Sequence, residues 1–276
     1  MRSIIHFYSP GFCAAIELIR DPELSGTPLI VLHGSGGGDV VISASAEASA
    51  QGVRESMTAR HAGRLCPDAK FVRAHWQAYR EASETMLDIL SKFSPLLEPQ
   101  GLDRAFLDVT GCPQFGAPNS ITEEIGRLVK AEVGVDLSAG ISSNKLVAFA
   151  ASTSAKPGSI QQVAPGSERE FLAERPVACL PGVGTKIEKR LAALGVQTVG
   201  ELAAIPERMM LRQFGAAGSR LHRLATGLDG SRVMPLYPPA TIAVEHSFEP
   251  EEDGDFRDPE LLEPLLLHLC DRLAMR

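Results

Sequence analysis

The periodicity of this chain changes near residue 160, and that change limits the folds open to it. Before it, short apolar runs of strand length alternate with amphipathic helical stretches; after it, as far as Gly230, the pattern is helical in short pieces. Strands spaced widely in sequence with helices between them predict an α+β sheet packed on helices. The clusters Ala155-Lys156-Pro157-Gly158 and Ala164-Pro165-Gly166-Ser167 read as a linker at the change, and Pro235, Pro238 and Pro239 as a second one.

Residues 3–8 have the composition of a buried strand, followed by a small-residue helix from about Phe12. Residues 29–32 and 40–43 are β-like runs flanking Gly34-Ser35-Gly36-Gly37-Gly38-Asp39, a hairpin with a loose turn. A phosphate-cradling glycine loop is the competing reading, although it lacks a Gly-Lys-Ser/Thr ending and a helix after it. Helices are expected over 44–51 and 58–65, then a longer one burying Met86, Leu87, Ile89, Leu90 and Phe93. Residues 105–109 and 137–141 read as strands, and 144–151 as a helix. Ser120 is the expected N-cap of a helix over 121–133, with Glu123 placed for a capping box. The last segment offers a strand-like run over 241–248, an acidic turn and a helix from about Pro259. One strand and one helix cannot bury their own apolar faces, which predicts an incomplete final domain.

At 276 residues and 44% hydrophobic content, the chain can bury a core sufficient for more than one compact unit. No basic start leads into an apolar segment, and no run approaches the ~20 apolar residues of a membrane span. A cytoplasmic protein without a membrane partner is expected. The five cysteines, Cys13, Cys66, Cys112, Cys179 and Cys270, are scattered without a CxxC pair, which points to reduced thiols rather than a disulfide frame or zinc site. The net charge of −7 excludes a uniformly basic nucleic-acid binder, yet it hides an asymmetry. From Pro181 to Arg232 there are eight basic residues against four acids, and from Val233 onward ten acids against three bases. That contrast predicts one local anion-binding surface beside an acidic tail.

The basic segment opens on the sharpest local motif, Cys179-Leu180-Pro181-Gly182-Val183-Gly184-Thr185-Lys186, followed by Lys189, Arg190 and Leu191 and then Leu194-Gly195-Val196. It resembles a helix-hairpin-helix, in which glycines let backbone approach closely and the next helix start aims N–H groups at a phosphate oxygen. Such a contact holds DNA without reading its bases. Gly182, Gly184, Thr185, Lys186, Lys189 and Arg190 are therefore the expected DNA-binding residues; an ordinary tight turn between packed helices is the alternative. The stretch Phe214-Gly215-Ala216-Ala217-Gly218-Ser219-Arg220 is either a second backbone-contacting turn, adding Arg220, or a glycine-ended helix cap. With three tyrosines and one tryptophan, a base-stacking platform for single strands has little support. A helix-hairpin-helix nuclease would need a carboxylate cluster, and the dense one, Glu251-Glu252-Asp253-Gly254-Asp255, reads as a solvated turn.

In their order and spacing these landmarks resemble the Y-family translesion DNA polymerases, the ImpB/MucB/SamB and DinB-like group. The resemblance covers nearly the whole chain. It is carried by Ile4-Ile5-His6 with Phe12-x-Ala14-Ala15-x-Glu17, Gly52-Val53-Arg54-x-Ser56-Met57, Leu65-Cys66-Pro67 and Tyr79-x-x-x-Ser83. It continues through Leu102-Asp103-x-Ala105-Phe106-Leu107-Asp108-Val109-Thr110, Gly140-Ile141-Ser142, Asn144-Lys145, Ala151-Ser152, Lys156-Pro157 and the hairpin at 180–184. It implies a right hand: palm from 1–11 and 76–165, fingers from 12–75, a helical thumb from 166–233, and a linker with a truncated little finger from 234–276.

The same resemblance marks what has been replaced. In an active member, an aspartate at the position of Tyr8 and an Asp-Glu pair at Asp103-Arg104 hold two magnesium ions, which activate the primer hydroxyl and grip the triphosphate. A phenol titrates near ~10 and an arginine is always cationic, so Asp103 alone survives and the site is expected to repel Mg²⁺. Two phosphate grips of the family fall at Ala46 and Ser49 and a third at Phe149, leaving Lys156. Pro10 stands for an aspartate whose carbonyl can ligate, and Cys13 for the bulky sugar gate. Arg104 is expected either to pair with Asp103, its guanidinium standing in for the missing metal charge, or to point to solvent.

The implied role is that of the non-polymerising, ImuB-like members. Such a chain binds DNA and scaffolds DNA repair, translesion synthesis and SOS mutagenesis, with no metal cofactor. Its partners would be an active error-prone polymerase, a sliding clamp and a recombinase, reached through regions beyond residue 276. The alternative is an active DNA-directed DNA polymerase using Mg²⁺ at an altered site, with Asp103, Asp108 and Glu17 as the remaining acids. Odd spacing in a strand would place Asp108 on the face opposite Asp103, and Glu17 suits a helix surface or a salt bridge equally well.

Overall fold

The computed structural model describes residues 2–34, 38–241, 243–244 and 258–274. Two compact units divide between Pro235 and Leu236, inside the second expected linker. The first unit runs β1 (Ile4–Tyr8), α1 (Phe12–Arg20), β2 (Leu29–His33), β3 (Val40–Ala44), α2 (Ala46–Ala50), α3 (Ala59–Leu65), β4 (Lys70–Arg73), α4 (Trp76–Ser91), β5 (Leu97–Pro99) and β6 (Arg104–Asp108). It continues with α5 (Pro118–Glu132), β7 (Ser138–Ser142), α6 (Lys145–Ser154), β8 (Ile160–Gln162), α7 (Glu168–Ala173), α8 (Thr185–Ala193), α9 (Val199–Ala204), α10 (Glu207–Phe214) and α11 (Ala216–Ala225). The second unit contributes α12 (Pro259–Ala274), as its amphipathic pattern predicts. Among the described residues, no helix is long and apolar enough to cross a membrane.

The strand order β5-β6-β1-β7-β8 puts β1 at the centre of the larger sheet. Ile4, Ile5, His6 and Phe7 have no exposed surface, because helices cover both faces; a strand in that position reads as a continuous run and not as an alternation. Helix α6 lies on the face of Ile4 and His6. It approaches so closely that a Cβ on Gly140 of β7 would run into the Ala148 carbonyl oxygen and the Ser152 amide nitrogen. Ile5, Phe7, Ala105 and Leu107 have the opposite parity and point toward the layer of α4 and α5.

Helix α6 also removes the boundary that composition suggested. Its Leu146, Val147, Ala150 and Ala151 share one core with Leu172, Val177, Leu180, Leu191, Leu202 and Leu221 of the helical half. Between the two Pro/Gly clusters the chain is no tether: it pairs as β8, parallel to β7. Composition changes at this point, but the core is continuous. A smaller sheet, β3-β2-β4, carries the expected β2–β3 hairpin plus β4, parallel to β2. Ala48, Ala62 and Cys66 cover its Ile30, Leu32 and Val41. Part of the glycine turn, 35–37, lies outside the described residues. A strand follows it and no helix does, which rules out the phosphate-loop reading.

Helix α5 starts earlier than expected. Pro118 occupies its first position behind Ala117, so Ser120 sits inside the first turn and is not the cap; proline needs no N–H there and its φ is already helical. The strand expected over 241–248 falls largely outside the described residues. All five cysteines are unpaired.

His6 is the unusual group of this core. Its Nδ1 lies 2.6 Å from Ser152 Oγ, its ring packs on Phe106 and Phe149, and its Nε2 has no partner among the described residues. Burial first, then the charges of Arg104 and Lys145, lower its pKa to about 3. The folded chain keeps it neutral while the unfolded chain lets it take up a proton, so the stability tied to it is whole above ~6.5 and is lost as pH falls toward 3. Denaturant unfolding is expected to lose roughly 1.5 kcal/mol between pH ~6.5 and ~5, a slope that His6→Leu should lack. Gly140→Ala, which forces α6 off the sheet, is expected to lower stability by about 3 kcal/mol or more, measured by urea midpoint.

Candidate functional site

The register of the central strand assembles the site. Tyr8 pairs with Arg104 on one side and with Ser138 on the other. Asp103 precedes β6, and its carbonyl accepts the Ser9 N–H at 2.8 Å, so residues 8, 103 and 104 meet at one end of the sheet. Arg104 closes on Asp103 as a fork: Nε donates to Oδ1 at 3.0 Å and Nη2 to Oδ2 at 2.8 Å. The same guanidinium lies 4.6 Å from the centre of the Tyr8 ring. All three side chains are half-buried.

The electrostatics follow from this contact. The hydrogen bond to Asp103 raises the Arg104 pKa above its ordinary value, against the opposing effect of burial. Burial raises the Tyr8 phenol, which Arg104 partly offsets. Both groups are locked in the charge states that sequence predicts, one neutral and one cationic. Beside them the Cys13 thiol is pushed up to about 12, by burial and then by the charges of Asp103, Glu55 and Glu17. Glu55 is a residue the sequence did not single out. It is exposed, yet desolvation and then the Asp103 charge raise its carboxyl, while Arg104 lowers it. Its neighbour Ser56 holds φ 66°, an uncommon conformation for a residue with a side chain. Nothing in local spacing links Glu55 to residue 103.

Magnesium, which the family resemblance implies, does not fit this donor set. Mg²⁺ asks for oxygen ligands in octahedral array, normally including carboxylates. Here Tyr8 offers a neutral phenol, Arg104 a fixed cation, and both Asp103 oxygens are already engaged. Among the described residues, no group of three or more His, Cys, Asp or Glu could hold a metal ion.

The remaining acids are not brought to the site. Asp108 pairs with Ile4 at the far end of β6, roughly 13 Å of strand from Arg104. Its Oδ1 accepts from Thr110 N–H at 2.9 Å, and Arg2 stands 3.9 Å away. The face argument for Asp108 does not apply, because Asp103 lies outside the strand; length along β6 separates the two. Glu17 is only 3% exposed, so it is no helix-surface residue; it takes the expected salt-bridge role instead. It accepts a hydrogen bond from the Tyr79 hydroxyl, contacts His75 Nδ1 at 2.8 Å and pairs with Arg20 at 3.6 Å.

The positions read as lost nucleotide grips are dispersed. Ala46 is exposed at the start of α2, and the Ser49 carbonyl accepts from Arg54 at 2.7 Å. Pro10 is exposed. Phe149 is half-buried and packs against the cluster of Ile4, Phe106 and Ala148. Lys156 is exposed, and its carbonyl accepts from Ser138 Oγ at 3.2 Å, which stations it at the Tyr8 end of the sheet.

In the helical half, the turn before α8 needs one glycine for its shape: Gly182 has φ 96°. Gly184 is the N-cap without a side-chain cap, and a Cβ at either glycine would meet nothing within 4 Å. The first N–H groups of α8, from Thr185, have no partner within the helix. Lys186, Lys189 and Arg220 are exposed and have no ion-pair partner among the described residues. Arg190 is different. It donates to the Gln213 carbonyl at 2.7 Å and lies 4.5 Å from the Phe214 ring centre, tying α8 to the end of α10. Gly215 caps α10 and opens α11, while Gly218 is buried against the Met210 carbonyl.

Comparison with known proteins agrees with this architecture. The fold is similar to DinB from Sulfolobus solfataricus, with a TM-score of 0.75 over 84% of this chain and 69% of that one, at 25% identity. It is also similar to an insertion ternary complex of Dbh DNA polymerase, with a TM-score of 0.76 over 84% and 69% of the two chains at 24% identity. DNA polymerase IV of Pseudomonas entomophila (strain L48) is 38% identical over 275 residues, covering 99% of this chain and 78% of the relative. DNA polymerase IV 2 of Mesorhizobium japonicum is 38% identical over 276 residues, covering 99% and 64%. The architecture is thus a Y-family polymerase fold with a helix-hairpin-helix thumb. The impB/mucB/samB family model matches residues 7–153, the model of the DNA polymerase-iota thumb domain matches 178–229, and the chain belongs to the impB/mucB/samB family.

Glu17→Ala would leave the buried Tyr79 hydroxyl without its acceptor. It is expected to cost about 3 kcal/mol by urea unfolding, whereas Glu17→Gln, which keeps an acceptor oxygen, should cost distinctly less.

Proposed function

We propose that this chain holds DNA without extending a primer, serving DNA repair and translesion synthesis as a non-polymerising member of its family. The observation that carries this reading is the Arg104–Asp103 fork against Tyr8, which fills the acid positions with one engaged carboxylate, one cation and one neutral ring. In this reading residues 1–11 and 76–165 are the palm, 12–75 the fingers, 166–233 the thumb, and 234–276 the linker and start of a little finger. The open turn at Gly182 and Gly184, the N-terminus of α8, and Lys186, Lys189 and Arg220 grip the sugar–phosphate chain. Arg190, also exposed, adds its charge to that surface while its bond to the Gln213 carbonyl braces α8. An ImuB-like place in SOS mutagenesis would pair the chain with an active error-prone polymerase, a sliding clamp and a recombinase.

The competing reading, an active error-prone polymerase with an altered metal site, has the relatives' names in its favour: those at 38% identity are DNA polymerase IV. Primer extension separates the two. No templated incorporation is expected with Mg²⁺ or Mn²⁺, and incorporation that disappears in Asp103→Ala would establish the competing reading. Primer-template binding, followed by anisotropy, is expected to weaken with salt and to fall roughly tenfold in Lys186→Glu/Lys189→Glu.

A further inference from the structure

We infer that Arg104 is a resident cation: it supplies the positive charge that balances this end of the sheet, and the chain grips DNA in the absence of any divalent ion. The inference rests on the non-polymerising reading and adds to it a statement about charge. A site that had merely lost its ligands would leave Asp103 solvated or unpaired. Instead both carboxylate oxygens receive charge-assisted N–H bonds, at 3.0 and 2.8 Å, from a planar fork that matches them. The face of that fork is then covered by the Tyr8 ring at 4.6 Å, a cation–π contact that adds no charge of its own.

The backbone beneath is still convergent. Residue 8 pairs with residue 104, and the Ser9 N–H bond to the Asp103 carbonyl holds residue 103 beside them. Two side chains therefore decide the charge of the site. With Tyr8 and Arg104, the Asp103 and Arg104 charges cancel, and Glu55 remains nearby as one exposed acid. With carboxylates at 8 and 104, three acids would converge and repel one another until a cation entered. Exchanging two side chains should convert a palm that excludes divalent ions into one that requires them.

Mn²⁺ is the probe, read by electron paramagnetic resonance and by thermal unfolding, with primer-template anisotropy alongside. For the wild-type chain, no bound Mn²⁺ is expected, with the same melting temperature in EDTA as in Mg²⁺ or Mn²⁺ and a DNA affinity no weaker in EDTA than with either ion. Tyr8→Asp/Arg104→Glu is expected to melt below wild type in EDTA, to bind Mn²⁺ and to recover stability with it. Mn²⁺ bound by wild type and lost in Asp103→Asn overturns the inference, as does a DNA affinity that collapses in EDTA. A folded double variant indifferent to Mn²⁺ overturns it too. If the double variant does not fold, the wild-type and Asp103→Asn measurements decide alone. Mn²⁺ on Asp103 without primer extension sinks this inference and spares the reading beneath it; templated extension sinks that reading itself.

Discussion

The pairing of β1 with β6, in the register that sets Tyr8 against Arg104, is the constraint on which the rest of the structure depends. A slip of one residue would turn Arg104 to the face of Ile5 and Phe7 and drive a guanidinium under the layer of α4 and α5. The register is pinned away from the site. His6 reaches Ser152, Gly140 lets α6 lie directly on β7, and Ile4 to Phe7 are sealed on both faces. Because the pinning residues are core residues, the end of the sheet can change its side chains without losing its shape.

Helix α6 joins this frame to the helical half. One side of it lies on the sheet through Ala148 and Ser152, and another contributes Leu146, Val147, Ala150 and Ala151 to the core of the helical half. Asn144 strengthens the joint, capping α6 through its Oδ1 and donating to the Gly227 carbonyl at 3.1 Å. The position of the Gly182 turn relative to Tyr8 is thus set by packing across a helix and not by a linker. Proline and glycine between residues 155 and 167 shape local turns and do not uncouple the two halves.

What the sequence disclosed follows from how far each interaction reaches. Strand and helix patterns are local, so β1, β6, β7, α1 and α4 were legible. Arg104 and Asp103 are neighbours in the chain, so their pairing could be anticipated as one of two outcomes. β4, β5 and β8 were not seen, since three or four residues at a sheet edge carry little periodicity. Long-range meetings were equally hidden. Glu55 is brought to the site by the fold of the smaller sheet, Phe149 packs against the core, and Glu17 finds Tyr79 and His75 across α1 and α4. Charge counting found the basic segment yet could not tell Lys186, which has no ion-pair partner among the described residues, from Arg190, which donates to the Gln213 carbonyl.

The Arg104–Asp103 pair is modest in strength. With side chains 27% and 22% exposed, a pair of this kind contributes about 1 kcal/mol or less to folding. Such a pair cannot hold a site shut by its own stability. A divalent ion could still break it if what remained were an adequate ligand set. Opening the fork, however, frees one carboxylate and leaves a guanidinium within a few ångströms, where its charge opposes the ion in any geometry. Tyr8 offers no compensating anion, since burial raises its phenol further from ionisation. The proposed exclusion of metal therefore does not depend on how tightly Arg104 grips Asp103. It depends on Arg104 being unable to leave, anchored at its Cα by the β1–β6 register that sets it against Tyr8.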